Sequence, residues 1–234
     1  MSDRVLHPNP VQLFKGMWAS GIMLNCNVYW ECETGCRYCY VRLGRESSKR
    51  ALGVSGGAYD GLTRFSNLLA RALGAKYDDS DPVQFFLRNG FPMMISNNSD
   101  PFAMRELEEG MTYQYLEALA EVQQPLQILT KLQAWSRLDR DRYLALLRRF
   151  EKLWVSVTLT TLDAAFAKAW EPGAPSPEGR LAAIRELTGA GIDVAVHCVP
   201  HIPEAFVGDP FEPKTYAEFC AQMKAAGARA IFQS

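Results

Sequence analysis

Apolar residues along the chain fall into short continuous runs, separated by stretches in which they recur every three or four positions. Six runs read as strands, at 22–29, 92–96, 126–132, 153–161, 193–199 and 228–233. Each is short, nearly continuously apolar and bounded by polar residues, Gly or Pro, the pattern of strands buried on both faces. Helical periodicity fills 113–122, 138–150, 178–189 and 215–226. Ser136 reads as a cap for the second of these, and Gly-Ala-Gly stops the third at Gly189. Strand alternating with helix predicts parallel pairing through right-handed crossovers. The expected fold is therefore α/β: a partial (β/α)6 TIM-like barrel of parallel strands, left open, in a single domain over 1–234.

Two features interrupt the rhythm. A long mixed stretch at about 44–91, with a helical patch at 62–73, reads as an insertion between the first and second strands. Pro-rich loops at 171–177 and 201–213 follow the fourth and fifth strands, on the side where β/α barrels build their active sites. The chain stops at Ser234, directly after the sixth candidate strand, so either the last helix is absent or the sequence is truncated there.

Composition narrows the class. With 48% hydrophobic and 22% charged residues the chain carries enough apolar surface to fold, which excludes general disorder. No run of about 18 apolar residues is present, so no membrane partner is expected. The polar N-terminus has no signal-peptide core, and a cytoplasmic location is expected. Lys and Arg total 25 against 26 for Asp and Glu, a net charge of −1. That balance leaves room for a local basic groove but does not support a nucleic-acid partner. The mixed-charge stretch 137–152 reads as a solvated helix face.

Candidate chemistry concentrates in the cysteines. Cys32, Cys36 and Cys39 stand at C-x3-C-x2-C directly after the first strand; Cys26, Cys198 and Cys220 lie apart. In a long chain without an export signal, such spacing points to metal ligation rather than disulfides. Three soft thiolates on one short loop suit an iron–sulfur cluster or zinc. A [4Fe–4S] cluster held by three ligands keeps one iron open. A structural zinc knuckle would need a fourth ligand, Cys26 or a distant His.

The cysteine motif, with aromatic Tyr38 before its last cysteine, resembles the signature of the radical S-adenosylmethionine superfamily. The stretch from Asn27 to Tyr40 is most similar to the spore photoproduct lyase-like branch. Segments in the same order extend the likeness: Ser96-Asn-Asn-Ser-Asp-Pro-Phe102, Leu129-Thr-Lys131, Glu171-Pro-Gly-Ala-Pro-Ser-Pro177 with Arg180, and the Gly191 to Pro203 region. Thr34 stands where the branch often has His, and Trp30-Glu31 where it often has Arg. The resemblance implies that Cys32, Cys36 and Cys39 hold a [4Fe–4S] cluster whose open iron chelates S-adenosylmethionine. Reduction by an external donor such as flavodoxin or ferredoxin would then cleave the sulfonium to a 5′-deoxyadenosyl radical that abstracts hydrogen from an unidentified substrate. It also implies cofactor-binding roles. Ser96, Asn97, Asn98, Ser99 and Asp100 would meet the methionine amino group, Ser156 and Thr158 the ribose or carboxylate, and Arg180 the carboxylate. Lys131, Glu171 and Tyr38 are further candidates, and Cys198 is a candidate radical-quenching thiol.

Blander readings stand beside these. Residues 97–98 can be a plain turn, and Glu171 with Arg180 a surface pair. His197 and His201 can be acid–base groups or hydrogen-bonded structural residues. A DNA photoproduct lyase of the same chemistry and a non-catalytic zinc-binding module are the alternative functions.

Overall fold

The six predicted strand runs all form strands, paired in parallel and in chain order. The computed structural model describes residues 11–13, 24–29, 32–41, 62–96, 98–200 and 213–233. The expectations for Asn97, for His201 and for 44–61 of the insertion lie outside these residues. The strands are β1 (Val11–Leu13), β2 (Leu24–Cys26), β3 (Met93–Ile95), β4 (Leu126–Thr130), β5 (Leu153–Thr158), β6 (Asp193–Cys198) and β7 (Ala230–Gln233). They form one sheet in the order β1 to β7. β2 to β7 are parallel, and β1 pairs with β2 antiparallel, Val11 opposite Cys26. Among the described residues the sheet does not close, and the architecture is a partial TIM-like barrel.

Register divides the strand residues between two faces. Leu24, Cys26, Met93, Ile95, Leu126, Ile128, Val155, Val157, Val194, Val196 and Cys198 all join the buried apolar core. There they meet helices α1 (Leu62–Leu73), α4 (Met111–Glu121), α5 (Arg140–Leu147), α7 (Pro177–Gly189) and α8 (Pro213–Ala225) through Phe65, Leu116, Leu147, Ile184 and Phe219. Each such side chain contributes about 1.5–3 kcal/mol when fully buried. The alternate positions are more polar: Asn25, Met94, Gln127, Leu129, Ser156, Thr158, Ala195 and His197 share the opposite face, in register from β2 to β6. The strands are thus buried on both sides, as expected, but one side is lined with amides and hydroxyls.

The connection read as an insertion is, in its described part, built into the core. α1 and α2 (Pro82–Arg88) pack on each other, and Phe65, Leu69, Ala72 and Leu87 are buried with the strands. Phe65 stacks on Tyr115 of α4 with ring centroids 4.6 Å apart. A helix that buries this much apolar surface against the sheet is a crossover between two parallel strands. Two shorter helices, α3 (Glu106–Glu109) and α6 (Ala164–Trp170), complete the set. The helix expected after Ser136 starts later. A 3-10 turn at Trp135–Arg137 precedes α5, and Asp139 caps it by accepting from the Arg142 amide at 3.2 Å.

Candidate active site

The cysteine loop leaves the C-terminal end of β2. Cys32 and Cys39 are half-buried, Cys36 is buried, and all three are free thiols. Two of them flank Thr34: its Oγ1 lies 2.9 Å from Cys32 Sγ and accepts from the Cys36 thiol at 3.5 Å. Gly35 turns the loop with φ +64°, a left-handed conformation that glycine adopts without strain. The Cys39 amide donates to Cys36 O at 3.2 Å and closes the turn. Burial, with the charge of Asp100 added, pushes the Cys32 thiol up. Among the described residues no three His, Cys, Asp or Glu side chains are placed to hold a single ion. Cys26, a proposed fourth zinc ligand, is fully buried on the helix-facing side of β2, and burial pushes its thiol far up. The donor set on the loop is therefore three soft sulfurs, which fits a cluster with one open corner.

A turn from the β5–α7 connection clasps this loop. Arg37 N donates to Trp170 O at 2.8 Å, and Gly173 N donates to Thr34 O at 2.9 Å. A Cβ on Gly173 would stand 2.6 Å from Glu33 O and 2.9 Å from Thr34 Cα, so only glycine allows this approach. Gln133 Nε2 holds the same turn by donating to Gly173 O at 3.1 Å.

Beneath the clasp lies a buried charge network. Glu171 and Arg180 side chains are 1% and 0% exposed and pair at 2.6 Å. The surface-pair reading therefore fails, because α7 packs Arg180 under the loop, where its Nη1 donates to Thr158 O at 2.9 Å. Lys131 Nζ lies 3.7 Å from Glu171 and 5.5 Å from the centre of the Tyr38 ring. Thr160 donates to Glu171 at 3.2 Å, and the Tyr38 hydroxyl also donates to it. Burial opposes ionisation of Glu171. The Lys131 and Arg180 charges and the hydrogen bonds from Tyr38 and Arg180 outweigh it and hold the carboxyl below its usual range. Burial and then the Glu171 charge push Tyr38 far up, so the phenol stays a neutral donor. Two cations against one carboxylate leave a positive surplus. Lys131, 13% exposed, is the cation a ligand can reach, whereas Arg180 is enclosed.

The exit of β3 supplies acceptors. Ser96 bends the chain with φ +62°, and its amide donates to Cys26 O at 2.7 Å. Among the described residues, the buried Ser96 and Ser99 hydroxyl oxygens meet no hydrogen-bond partner. The Asn98 amide donates to Asn27 Oδ1 at 3.0 Å. Asp100 is buried and accepts from Thr130 Oγ1 at 2.7 Å, Lys131 N at 2.8 Å and Phe102 N at 3.0 Å. Its burial still raises the carboxyl above its usual range.

Ser156 and Thr158 lie on the polar face as their spacing predicts, Ser156 accepting from Gln127 Nε2 at 2.7 Å. Cys198 does not join them. It falls on the helix-facing side, in the core, where burial and nearby Cys220 push its thiol up to about 11. This placement removes it from the face on which a quenching thiol would meet a lumenal radical. The polar-face residue at that level is His197, opposite Thr158, whose pKa burial and the Lys131 charge lower to about 4. Thr34, Gln133, Thr160 and Gly173 belong to the site but carry no sequence signal of their own.

No family model matches the chain. Uncharacterised proteins of Mycobacterium tuberculosis and Mycobacterium bovis are 28% identical over 179 residues, 76% of this chain and 49% of their own length. The chain thus spans about half the length of the curated relatives it matches. Among solved structures, a spore photoproduct lyase with bound S-adenosylmethionine and dinucleoside spore photoproduct superposes with a TM-score of 0.60. It is 17% identical and is covered over 54% of its length by 89% of this chain. Streptococcus suis SuiB bound to S-adenosylmethionine superposes at 0.54, with 11% identity, 89% of this chain and 37% of SuiB. SuiB bound to a precursor peptide gives 0.57. The fold is therefore similar to that of radical S-adenosylmethionine enzymes.

Proposed function

We propose that the protein is a radical S-adenosylmethionine enzyme in which Cys32, Cys36 and Cys39 hold a [4Fe–4S] cluster. One observation carries the reading. Three free thiols stand at C-x3-C-x2-C on a loop at the C-terminal ends of parallel strands, joined through Tyr38 to the Lys131–Glu171–Arg180 network. When bound together, cluster and S-adenosylmethionine supply a one-electron cleavage of the sulfonium that yields a hydrogen-abstracting radical. The chain's own residues bind and orient. Ser96 and Ser99 offer unpartnered hydroxyl oxygens to the methionine ammonium, and Lys131 offers its ammonium to the carboxylate. Glu171 keeps Lys131 in place, and Arg180 keeps Glu171 ionised. On the polar face Ser156 and Thr158 stand below the site, and His197 stays neutral near pH 7.

Anaerobic reconstitution with iron and sulfide is expected to give a brown protein that converts S-adenosylmethionine to 5′-deoxyadenosine under dithionite. Cys36→Ala should abolish both colour and cleavage. One zinc per chain, with no visible absorption after reconstitution, would replace this reading with the metal-binding module. The superposition with spore photoproduct lyase favours a DNA-lesion substrate as a second reading. Turnover of a dinucleoside photoproduct by the reconstituted enzyme tests it directly.

A further inference from the structure

We propose that Glu171 is a positioning residue: with Gly173 it forms a clasp that pre-sets the cysteine loop before any metal arrives. The inference rests on the reading that the three thiols are metal ligands.

Three contacts converge on one eight-residue loop from a single turn. Trp170 O accepts from Arg37 N, and Gly173 N donates to Thr34 O. Glu171 accepts from the Tyr38 hydroxyl. They fall at Thr34, between the first two cysteines, and at Arg37 and Tyr38, between the last two, so both intervals between the sulfurs are held. Hydrogen bonds to an ionised acceptor are the stronger kind and hold direction well. Glu171 is suited to this because it cannot move. Arg180 grips it at 2.6 Å from a fully buried position, Lys131 stands at 3.7 Å, and Thr160 donates to it at 3.2 Å. Arg180 is in turn tied to the β5 strand end by Thr158 O at 2.9 Å. The sheet thus dictates the loop's shape through a chain of rigid links: β5, Arg180, Glu171, Tyr38, cysteines.

A loop free to rotate about φ and ψ at each residue between ligands would otherwise lose that freedom when the metal binds. Pre-ordering removes the loss, which is the same advantage that rigidifying a ligand gives in binding. The close approach at Gly173, where any Cβ would meet Glu33 O at 2.6 Å, sets the register of the clasp.

Alkylation kinetics of the metal-free protein, read cysteine by cysteine by mass spectrometry under anaerobic conditions, test the clasp. Glu171→Gln should raise the rates at Cys32, Cys36 and Cys39 at least threefold and leave Cys220 unchanged. Tyr38→Phe, which keeps every buried charge, should raise the same three rates. The double variant should add little to either single one, because both cut the same link. In the reconstituted protein, the same variants should slow iron uptake and broaden the EPR signal of the reduced cluster. Rates within twofold of wild type in folded Tyr38→Phe would overturn the proposal, and so would an equal rise at Cys220 or full additivity. If Glu171→Gln does not fold, Tyr38→Phe decides alone. If wild-type protein takes up no iron, the enzymatic reading fails while the alkylation rates still judge the clasp.

Discussion

Arg180 is the side chain whose removal the molecule should tolerate least. It is fully enclosed, and so is Glu171, its ionic partner among the described residues. Taking away one member of a buried pair leaves the other charge unsolvated, at a cost of about 3–5 kcal/mol. Arg180→Met, which keeps most of the volume, should lower the unfolding free energy measured by urea titration by that amount. A loss below about 1 kcal/mol would mean that Lys131 alone stabilises the Glu171 carboxylate. His197 gives a second prediction, with a defined sign. Its folded pKa is about 4 against an ordinary 6.5, so between those values the unfolded chain binds more protons than the folded one. The stability it contributes is whole above about pH 6.5 and is lost as pH falls through 4. Between those limits wild type should lose on the order of 2 kcal/mol more than His197→Gln, measured by denaturant titration at each pH. The residue scale also shows what the chain does and does not disclose. Cys32, Cys36, Cys39, Tyr38, Lys131, Glu171 and Arg180 are chemically conspicuous and can be picked out from spacing and resemblance. That Arg180 points inward at Glu171 follows from how α7 packs, and no local pattern encodes it. Gly173 is one of 17 glycines, singled out only by a neighbour 139 positions away, Thr34.

Two of the helices outside the periodic stretches, α2 and α3, are held by something other than periodicity. α2 is seven residues long, too short for a repeating stripe, and is set by its entry. Asp81 Oδ1 accepts from Val83 N at 2.9 Å, its Oδ2 from Gln84 Nε2 at 2.9 Å, and Pro82 occupies the first turn. Asp81→Ala should therefore cost about 1 kcal/mol, the usual worth of an N-cap, seen as a lower thermal midpoint with an unchanged far-UV spectrum. α3 is a single turn bounded by Gly110 at φ +58°, and its Glu106 faces inward. That carboxylate collects donors from Tyr29, Tyr143 and the amides of Thr112 and Tyr113, a tertiary device with no sequence signature. The strands were the legible elements, because short β-branched runs between Gly and Pro read the same in any context. β1 escaped because three residues at an antiparallel edge make no pattern. Cys198 lies one strand step from the polar face, which its neighbour His197 occupies, and period-two alternation puts it in the core on the opposite side of the sheet.

At the scale of the molecule, the sheet separates two tasks. Its apolar face binds the helices and supplies the stability, and its polar face is left for chemistry at the strand ends, beside the cysteine loop. A ligand that needs the loop, Lys131 and the β3 exit together can bind only the folded chain. By linkage it must then stabilise the fold in proportion to its occupancy. S-adenosylmethionine at about 100 times its dissociation constant should add about 2.7 kcal/mol to the anaerobically reconstituted protein. For a chain of this length that is a rise of roughly 5–10 °C in Tm. Cys36→Ala, carried through the same reconstitution, should show no rise, because in the proposed function the thiols hold the metal whose open corner chelates the ligand. Equal shifts in the two proteins would place the ligand elsewhere on the sheet and detach the cysteine loop from cofactor binding. A shift in wild type alone would tie the loop, the buried charges beneath it and the polar face into one site.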